Sequence, residues 1–372
     1  MTSTTIRPVT TALDLTPAEL GVVLRDAGQP AYRSEQVVRW LYRGARSYDE
    51  MTDLPKALRA VLAERLPVTA LTPVRTLRSQ DGLTTKVLFR LVDGPLIEAV
   101  HMRHAGIKGR ERSTICLSSQ AGCAYGCTFC ATGQGGFGRN LTPGEIVEQA
   151  LYFLREHENP DAGGVVLPAG ARPITNIVFM GMGEPFANYA NVMTAVRALN
   201  APWGLGLGAR HITVSTVGLV PELRKFMLEP LQLGLAISLH APNDDLRSRI
   251  MPVNRKYSLV QLIPACRDYA KQTGRRVTFE YVMLAGINDS VAHAQELAGL
   301  LRGMLCHVNL IPMNPTADSD LKRPDGQRLR AFQHVLEGSG VPATVRDTQG
   351  ADIQAACGQL RTKFEDEGPS IP

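Results

Sequence analysis

Apolar positions follow three successive spacings along the chain, and each predicts a different kind of structure. Up to about residue 75 they recur at helical intervals. Val37, Val38 and Leu41 share one side of a helix predicted over residues 34–42. Thr16-Pro17, followed by Glu19, reads as the start of an earlier helix, and residues 53–66 read as a third. Beyond residue 75 apolar and polar positions alternate, with turn signals at Asp81-Gly82 and Asp93-Gly94. Short strands are expected at 75–78, 85–91 and 96–102, forming a small antiparallel ribbon that joins the helical head to the rest. From about residue 113 strand and helix take turns. Strands are expected at 114–118, 174–180, 211–215, 234–238, 277–283 and 307–311, with helices at 143–157, 189–200, 220–228, 258–273 and 290–302 between them. A last helix at 326–338 precedes a strand at 343–347. Repeated βα units imply a parallel sheet or barrel. Six units fall short of the eight of a closed barrel. The expected fold is therefore α/β: an open, partial (βα)6 barrel with a small N-terminal helical domain and a connecting antiparallel β ribbon. The boundaries are 1–75 for the head, 76–105 for the ribbon and 106–362 for the barrel core. Residues 363–372 are expected to be a disordered tail, and 159–173, rich in Gly, Ala and Pro, an irregular surface loop.

Composition narrows the class. The chain has 372 residues, 44% of them hydrophobic, enough for a sizeable core. Its formal net charge of +5 permits a polyanionic partner without demanding one. The Thr-rich start lacks the basic and apolar segments of a signal peptide. No run of about 18 apolar residues predicts a membrane span. A cytoplasmic location is expected, where seven cysteines point to metal binding or catalysis before a static disulfide framework.

Cys123, Cys127 and Cys130 have the spacing C-x-x-x-C-x-x-C, in a Gly-rich stretch directly after the first core strand. Structural zinc takes four ligands, which His101 or His104 could complete from some 20 residues upstream. An iron–sulfur cluster normally uses four cysteines; held by three, it leaves one iron free for a substrate. The spacing, with Phe129 before the last cysteine, resembles the radical S-adenosylmethionine (SAM) superfamily. There the open iron chelates the amino and carboxylate groups of SAM, and an electron splits SAM into methionine and a 5′-deoxyadenosyl radical.

Further motifs carry a closer resemblance. They are Cys116-Leu-Ser-Ser-Gln-Ala-Gly-Cys123, Gly135-Gly-Phe137, Arg139-Asn-Leu141, Met180-Gly-Met-Gly-Glu-Pro185 and Val214-Ser-Thr216. Ser238-Leu-His-Ala-Pro-Asn243, Asn309-Leu-Ile-Pro-Met-Asn-Pro315 and Ala355-Ala-Cys-Gly-Gln-Leu360 complete the set. In this order they resemble the RlmN/Cfr family of adenine methyltransferases over nearly the whole chain, most closely the RlmN branch. Val217 departs from a common Ser and Gln349 from a common Arg, and 159–173 looks like an insertion.

The resemblance implies a radical SAM barrel, a [4Fe–4S] cluster on Cys123, Cys127 and Cys130 (one per chain), and two SAM molecules per turnover. It implies SAM contacts from Gly183, Glu184, Ser215, Ser238, Leu239, His240 and Asn314. Cys357 matches the methyl-carrying cysteine, Cys116 the thiol that resolves the covalent RNA intermediate through a transient disulfide, and Glu98 a proton acceptor. The implied product is adenine methylated at carbon 2, in 23S rRNA and in some tRNAs. An electron donor such as flavodoxin or ferredoxin is implied, with no membrane partner and a monomeric enzyme. Two rivals remain: the same chemistry at carbon 8, as in the Cfr branch, and a non-catalytic zinc-containing RNA-binding protein.

Several features need no function. Gly204-x-Gly206-x-Gly208 precedes a strand and opens no helix, so it reads as a connecting loop. Cys266 and Cys306 read as buried apolar residues. In the head, Arg33, Arg39, Arg43, Arg46, Trp40 and Tyr42 offer cations and aromatic faces to RNA, or else form a solvated amphipathic helix.

Overall fold

The computed structural model describes residues 10–104, 112–158, 174–314, 320–346 and 349–360. The expected loop at 159–173 and the expected tail at 363–372 lie outside the described residues, as do Pro315 and the end of the last expected strand at Asp347.

The head holds α1 (Pro17–Asp26), α2 (Arg33–Tyr42) and α3 (Lys56–Arg65). At the start of α1 the Glu19 amide donates to Thr16 Oγ1 and the Thr16 amide donates to Glu19, satisfying two amides that the first turn cannot pair itself. The helix α3 starts three residues later than its pattern suggests, because Pro55 forces an extended approach. Leu20, Leu24, Val37, Val38 and Leu41 are buried, and their cluster runs without a break into the barrel core. The head is clamped to α5 (Pro143–Glu158): Arg155 donates to the carbonyls of Gly44 and Ala45, and the Gly144 amide donates to Asp14.

The strands β1 (Leu71–Arg78), β2 (Thr84–Leu91) and β3 (Leu96–His104) form antiparallel pairs. They are not a separate ribbon. β3 pairs with β4 (Arg112–Cys116), so the three extend the edge of a single ten-stranded sheet. β1 begins four residues before its expected start, and the irregularity between Pro73 and Arg75 hides its alternation.

The parallel part runs from β4 through β7 (Asn176–Phe179), β8 (Ile212–Thr216), β9 (Gly234–Ser238), β10 (Val277–Met283) and β11 (Cys306–Pro312) to β12 (Ala343–Val345). Neighbours pair in chain order and all in parallel. Six parallel strands, a seventh short one and an open order confirm the partial barrel. Ile177, Val214, Ile237, Phe279 and Leu310 are fully buried, as strands covered on both faces require. The crossover helices include α6 (Tyr189–Asn200), α7 (Val220–Met227), α9 (Leu259–Thr273), α10 (Val291–Leu301) and α11 (Gly326–Gly338). Three features were not expected. A two-stranded clasp, β5 (Gln120–Gly122) with β6 (Phe137–Asn140), frames the cysteine loop, a one-turn helix α4 (Ala131–Gln134) follows Cys130, and a short helix α8 (Asp244–Ile250) follows β9. No helix among the described residues is long and apolar enough to cross a membrane.

Candidate active site

The singled-out polar residues gather at the carboxyl rim of the parallel strands, where α/β folds bind ligands. Cys116 closes β4, Gly181–Glu184 follow β7, Ser215 lies near the end of β8, Ser238 ends β9 and Asn314 follows β11.

The cysteine loop is an arm gripped at its base and at its tip. At the base β5 and β6 pair, and the Cys123 amide donates to the Gly136 carbonyl at 2.7 Å. Gly122 has φ +79°, and a Cβ there would run into the Gly136 carbonyl. Arg139 on β6 binds both Asp93 in the β2–β3 turn (2.6 Å) and Glu145 on α5 (2.7 Å). Further along, the Thr128 amide donates to the Ile250 carbonyl at the end of α8. The Ala131 amide donates to the Gly358 carbonyl at 2.8 Å, and Thr132 Oγ1 to the Leu360 carbonyl at 2.7 Å. The C-terminal loop that carries Cys357 is thereby seated on the cysteine arm.

The arm covers a cavity of about 150 Å³. Cys123, Cys127, Cys130, Gly183, Glu184, Ser215, Ser238 and His240 all line it. Leu239 does not: its side chain is fully buried, and its amide donates to the Glu280 carbonyl. Asn314 lines a neighbouring cavity instead and donates from Nδ2 to the Cys357 carbonyl at 3.2 Å.

Glu184 is buried, and its two oxygens accept from the amides of Phe186 and Val217. Burial outweighs those bonds and pushes its pKa up to about 7. Gly183 has φ +99°, and a Cβ there would meet the Gln120 side chain at 2.5 Å. Gln120 in turn accepts from the Glu184 amide, so the Gly-Glu turn is moulded onto β5. His240 also has positive φ, 59°, and its Nδ1 accepts from the Val282 amide. Burial pushes its pKa down to about 3, so the ring is neutral with its proton on Nε2. Its ring meets Phe129 edge-on, with centroids 4.7 Å apart.

The second cavity, of about 50 Å³, brings together Cys116, Cys357, Asn314 and His104. The two cavities share Met180, Ile311, Arg346 and Cys357, so Cys357 stands where they meet. Residues 241 apart in sequence are thereby neighbours. All seven cysteines are free thiols, with no Cys116–Cys357 disulfide formed. Burial, then the nearby Cys357, pushes the Cys116 pKa up to about 12.

Glu98 lines neither cavity. It is buried, and Lys86 binds its carboxylate at 2.9 Å while donating to the Gln354 carbonyl of the Cys357 loop. The geometry is that of a strut under the loop. In the head, Tyr42 is not an open aromatic face: it is buried and packs edge-on against Trp203, 5.7 Å away. Arg39 and Trp40 both bind Asp53, and Arg46 binds Glu156.

Two site residues escaped the sequence reading. Arg346, just past β12, lines both cavities, and the proximity of Cys357, then of Glu280 and Cys116, favours its charged form against burial. Glu280 on β10 lines the larger cavity. Neither stands in a Gly-rich or Cys-rich motif that would mark it.

Three cysteines on a rim arm over a cavity with a buried Gly-Glu turn define a radical SAM enzyme. Residues 117–298 match the family model described as "Radical SAM superfamily", and residues 11–68 match "Ribosomal RNA large subunit methyltransferase N-terminal domain". A solved radical SAM methyltransferase from Sphaerobacter thermophilus is 53% identical, covers 95% of this chain and all of its own, and superposes with a TM-score of 0.88. Two curated relatives share the name "Probable dual-specificity RNA methyltransferase RlmN". The Moorella thermoacetica protein is 49% identical over 95% of this chain and 98% of its own. The Frankia casuarinae protein is 49% identical over 93% of this chain and 81% of its own. The chain belongs to the RlmN family of radical SAM RNA methyltransferases.

The superfamily implies a [4Fe–4S] cluster and SAM, and the residues present fit both. Burial pushes the Cys123 pKa up to about 12 and raises Cys127 and Cys130 as well, so these thiols lose their protons only to a strong cation such as cluster iron. Glu280 Oε2 is a buried acceptor in the cavity with no hydrogen-bond partner among the described residues, as a site built for a polar ligand requires.

Proposed function

We propose that this protein methylates carbon 2 of a specific adenine in 23S rRNA and in tRNA, using Cys357 as methyl carrier and Cys116 as resolving thiol. The observation that carries the reading is the meeting of two free thiols in one small cavity, with Cys357 also reaching the cavity of the three cysteines. An enzyme that handed a methyl directly from SAM to RNA would need neither thiol.

Carbon 2 of adenine lies between two ring nitrogens and is electron-poor, so it cannot displace the methyl of SAM as a nucleophile. The cluster, when bound by Cys123, Cys127 and Cys130, supplies the electron that cleaves SAM and yields a radical able to remove hydrogen. The chain supplies positioning. Glu184 and Gly183 receive the amino end of SAM, Ser215, Ser238 and His240 wall its cavity, and Asn314 holds the Cys357 loop by its carbonyl. Cys357 first accepts a methyl on sulfur; after loss of a hydrogen atom, that carbon bonds to carbon 2 of adenine, and the adduct gives up one electron, to the redox centre that supplied the first, and the carbon-2 proton. Cys116, losing its proton, then attacks the sulfur of Cys357; the carbon–sulfur bond breaks, the released carbon takes up a proton to become the methyl group, and a disulfide is left for a reductant to reopen. A pKa near 12 keeps Cys116 protonated and inert until that last step. The Lys86–Glu98 pair supports the loop from below, and for Glu98 to take the ring proton the loop must shift to admit it.

The direct test incubates reconstituted protein with SAM, a low-potential reductant and 23S rRNA or tRNA transcripts. Mass spectrometry of the digests should find 2-methyladenosine in both. Methyl at carbon 8 instead, or an unmodified RNA beside a cleaved SAM, would overturn the assignment.

A further inference from the structure

Arg247, on α8, is fully buried, and its guanidinium uses all its donors on neutral acceptors. Nε donates to the Leu239 carbonyl at 3.0 Å. Nη2 donates to the carbonyls of Val217 (2.7 Å) and Ser238 (3.0 Å). Nη1 donates to Asn254 Oδ1 at 2.9 Å and, at 3.4 Å, to the Tyr257 carbonyl. No carboxylate is among these partners. Asp244, the nearest on its own helix, is reached only through Asn254, whose Nδ2 donates to it at 2.8 Å. Asp244 is also engaged by the Leu259 amide.

A buried charge without a counter-ion is costly, and neutral carbonyls only partly compensate. Burial pulls the Arg247 pKa down to about 10; of the nearby groups whose ionised forms oppose this, Cys127 comes first, ahead of Asp244 and Cys266. The backbone explains why. α8 ends at Ile250, whose carbonyl accepts from the amide of Thr128, the residue after Cys127. The helix is thus tied to the cysteine arm, with Arg247 behind it. The carbonyls it gathers belong to Val217, Ser238 and Leu239, in the two segments that wall the larger cavity.

We infer that Arg247 is a positioning residue that serves as the buried counter-charge of the cluster, raising its reduction potential while binding together the β8 and β9 rims of the SAM cavity. The inference rests on the assignment of the cluster to Cys123, Cys127 and Cys130. A fixed cation favours whichever state of a neighbouring group is more negative, here the reduced cluster. In a low-dielectric site that bias is screened little.

The test compares the reconstituted full chain with R247K, which keeps the charge, and R247Q, which keeps amide donors but no charge. Midpoint potentials come from redox titration followed by electron paramagnetic resonance, which reads only loaded clusters. R247Q should shift the one-electron equilibrium about tenfold against reduction, about 59 mV downward, while R247K stays within about threefold of the parent. Cluster loading lost in R247Q and restored in R247K would also support the charge role. Equal potentials in all three proteins, an equal drop in both variants or equal loss of loading in both would overturn it. Absence of the signal from the parent protein would instead refute the cluster assignment itself.

Discussion

At the scale of single residues, the site works through groups whose charge state burial has moved. Glu184 is the clearest case. Its pKa of about 7 sits well above the 4.5 of a free carboxyl because the cavity wall removes its water. In the proposed site the amino N–H groups of SAM donate to this carboxylate and favour its ionised form, so SAM binding has to deprotonate the carboxyl wherever pH lies below that value. SAM affinity should therefore be flat above about pH 7 and weaken about tenfold for each unit below it. Calorimetry on anaerobic protein would show this slope, and E184Q should bind weakly but without it. A parent protein with pH-independent affinity down to pH 5.5 would remove Glu184 from the amino-group site. The sign for stability is opposite: a raised carboxyl pKa stabilises the ligand-free fold at low pH, and that contribution is lost as pH rises through about 7.

The same residues show what the sequence could reveal. Cys123, Cys127 and Cys130, or Gly181-Met-Gly-Glu184, lie close along the chain, so spacing alone exposes them. Arg346 and Glu280 line the cavity and Arg247 hydrogen-bonds to its wall at Val217, each from a distant part of the chain, and nothing adjacent in sequence marks them. Tyr42 misled for the opposite reason. It sits among arginines on a helix, yet its ring is turned inward onto Trp203, more than 150 positions away.

At the scale of elements, the cysteine arm depends on a clasp too short to read. β5 has three residues and β6 four, with Gly at 122, 136 and 138 breaking any alternation. Longer strands such as β9, β10 and the helix α11 were legible to the residue, since their periodicity persists over whole turns or pleats. Arg139 is the rivet of the clasp, because it neutralises Asp93 and Glu145 together, and Glu145 is almost wholly buried. R139A leaves that carboxylate without its cation, a loss of about 3–5 kcal/mol. Urea unfolding should show a destabilisation of that order, together with a reduced iron content after reconstitution. A loss below about 1 kcal/mol, with full cluster loading, would show that the clasp holds without its rivet.

At the scale of the whole molecule, head, antiparallel edge and barrel share one core, so the expected boundaries at 75 and 105 mark changes of pattern more than separable bodies. The head nevertheless carries the surface charge suited to RNA. Arg43 is exposed, and Arg39 is half-exposed beside Asp53, in a pair too open to hold it strongly. Changing both to Ala should weaken RNA binding and flatten its log–log salt dependence by about 0.7–0.9 for each phosphate no longer engaged. Radical formation from SAM should be unaffected. Filter binding at several salt concentrations reads this, and an unchanged slope would make α2 a structural helix only.

The central claim is that two distant thiols meet at one cavity to carry and then release the methyl, and a denaturing gel with labelled RNA tests it most directly. C116A keeps the carrier and lacks the resolving thiol, so protein should accumulate covalently joined to RNA through one methylene on Cys357. C357A and the double variant should give no shifted band and no methylated RNA. An absent adduct in C116A, or methylated RNA from C357A, would contradict the account.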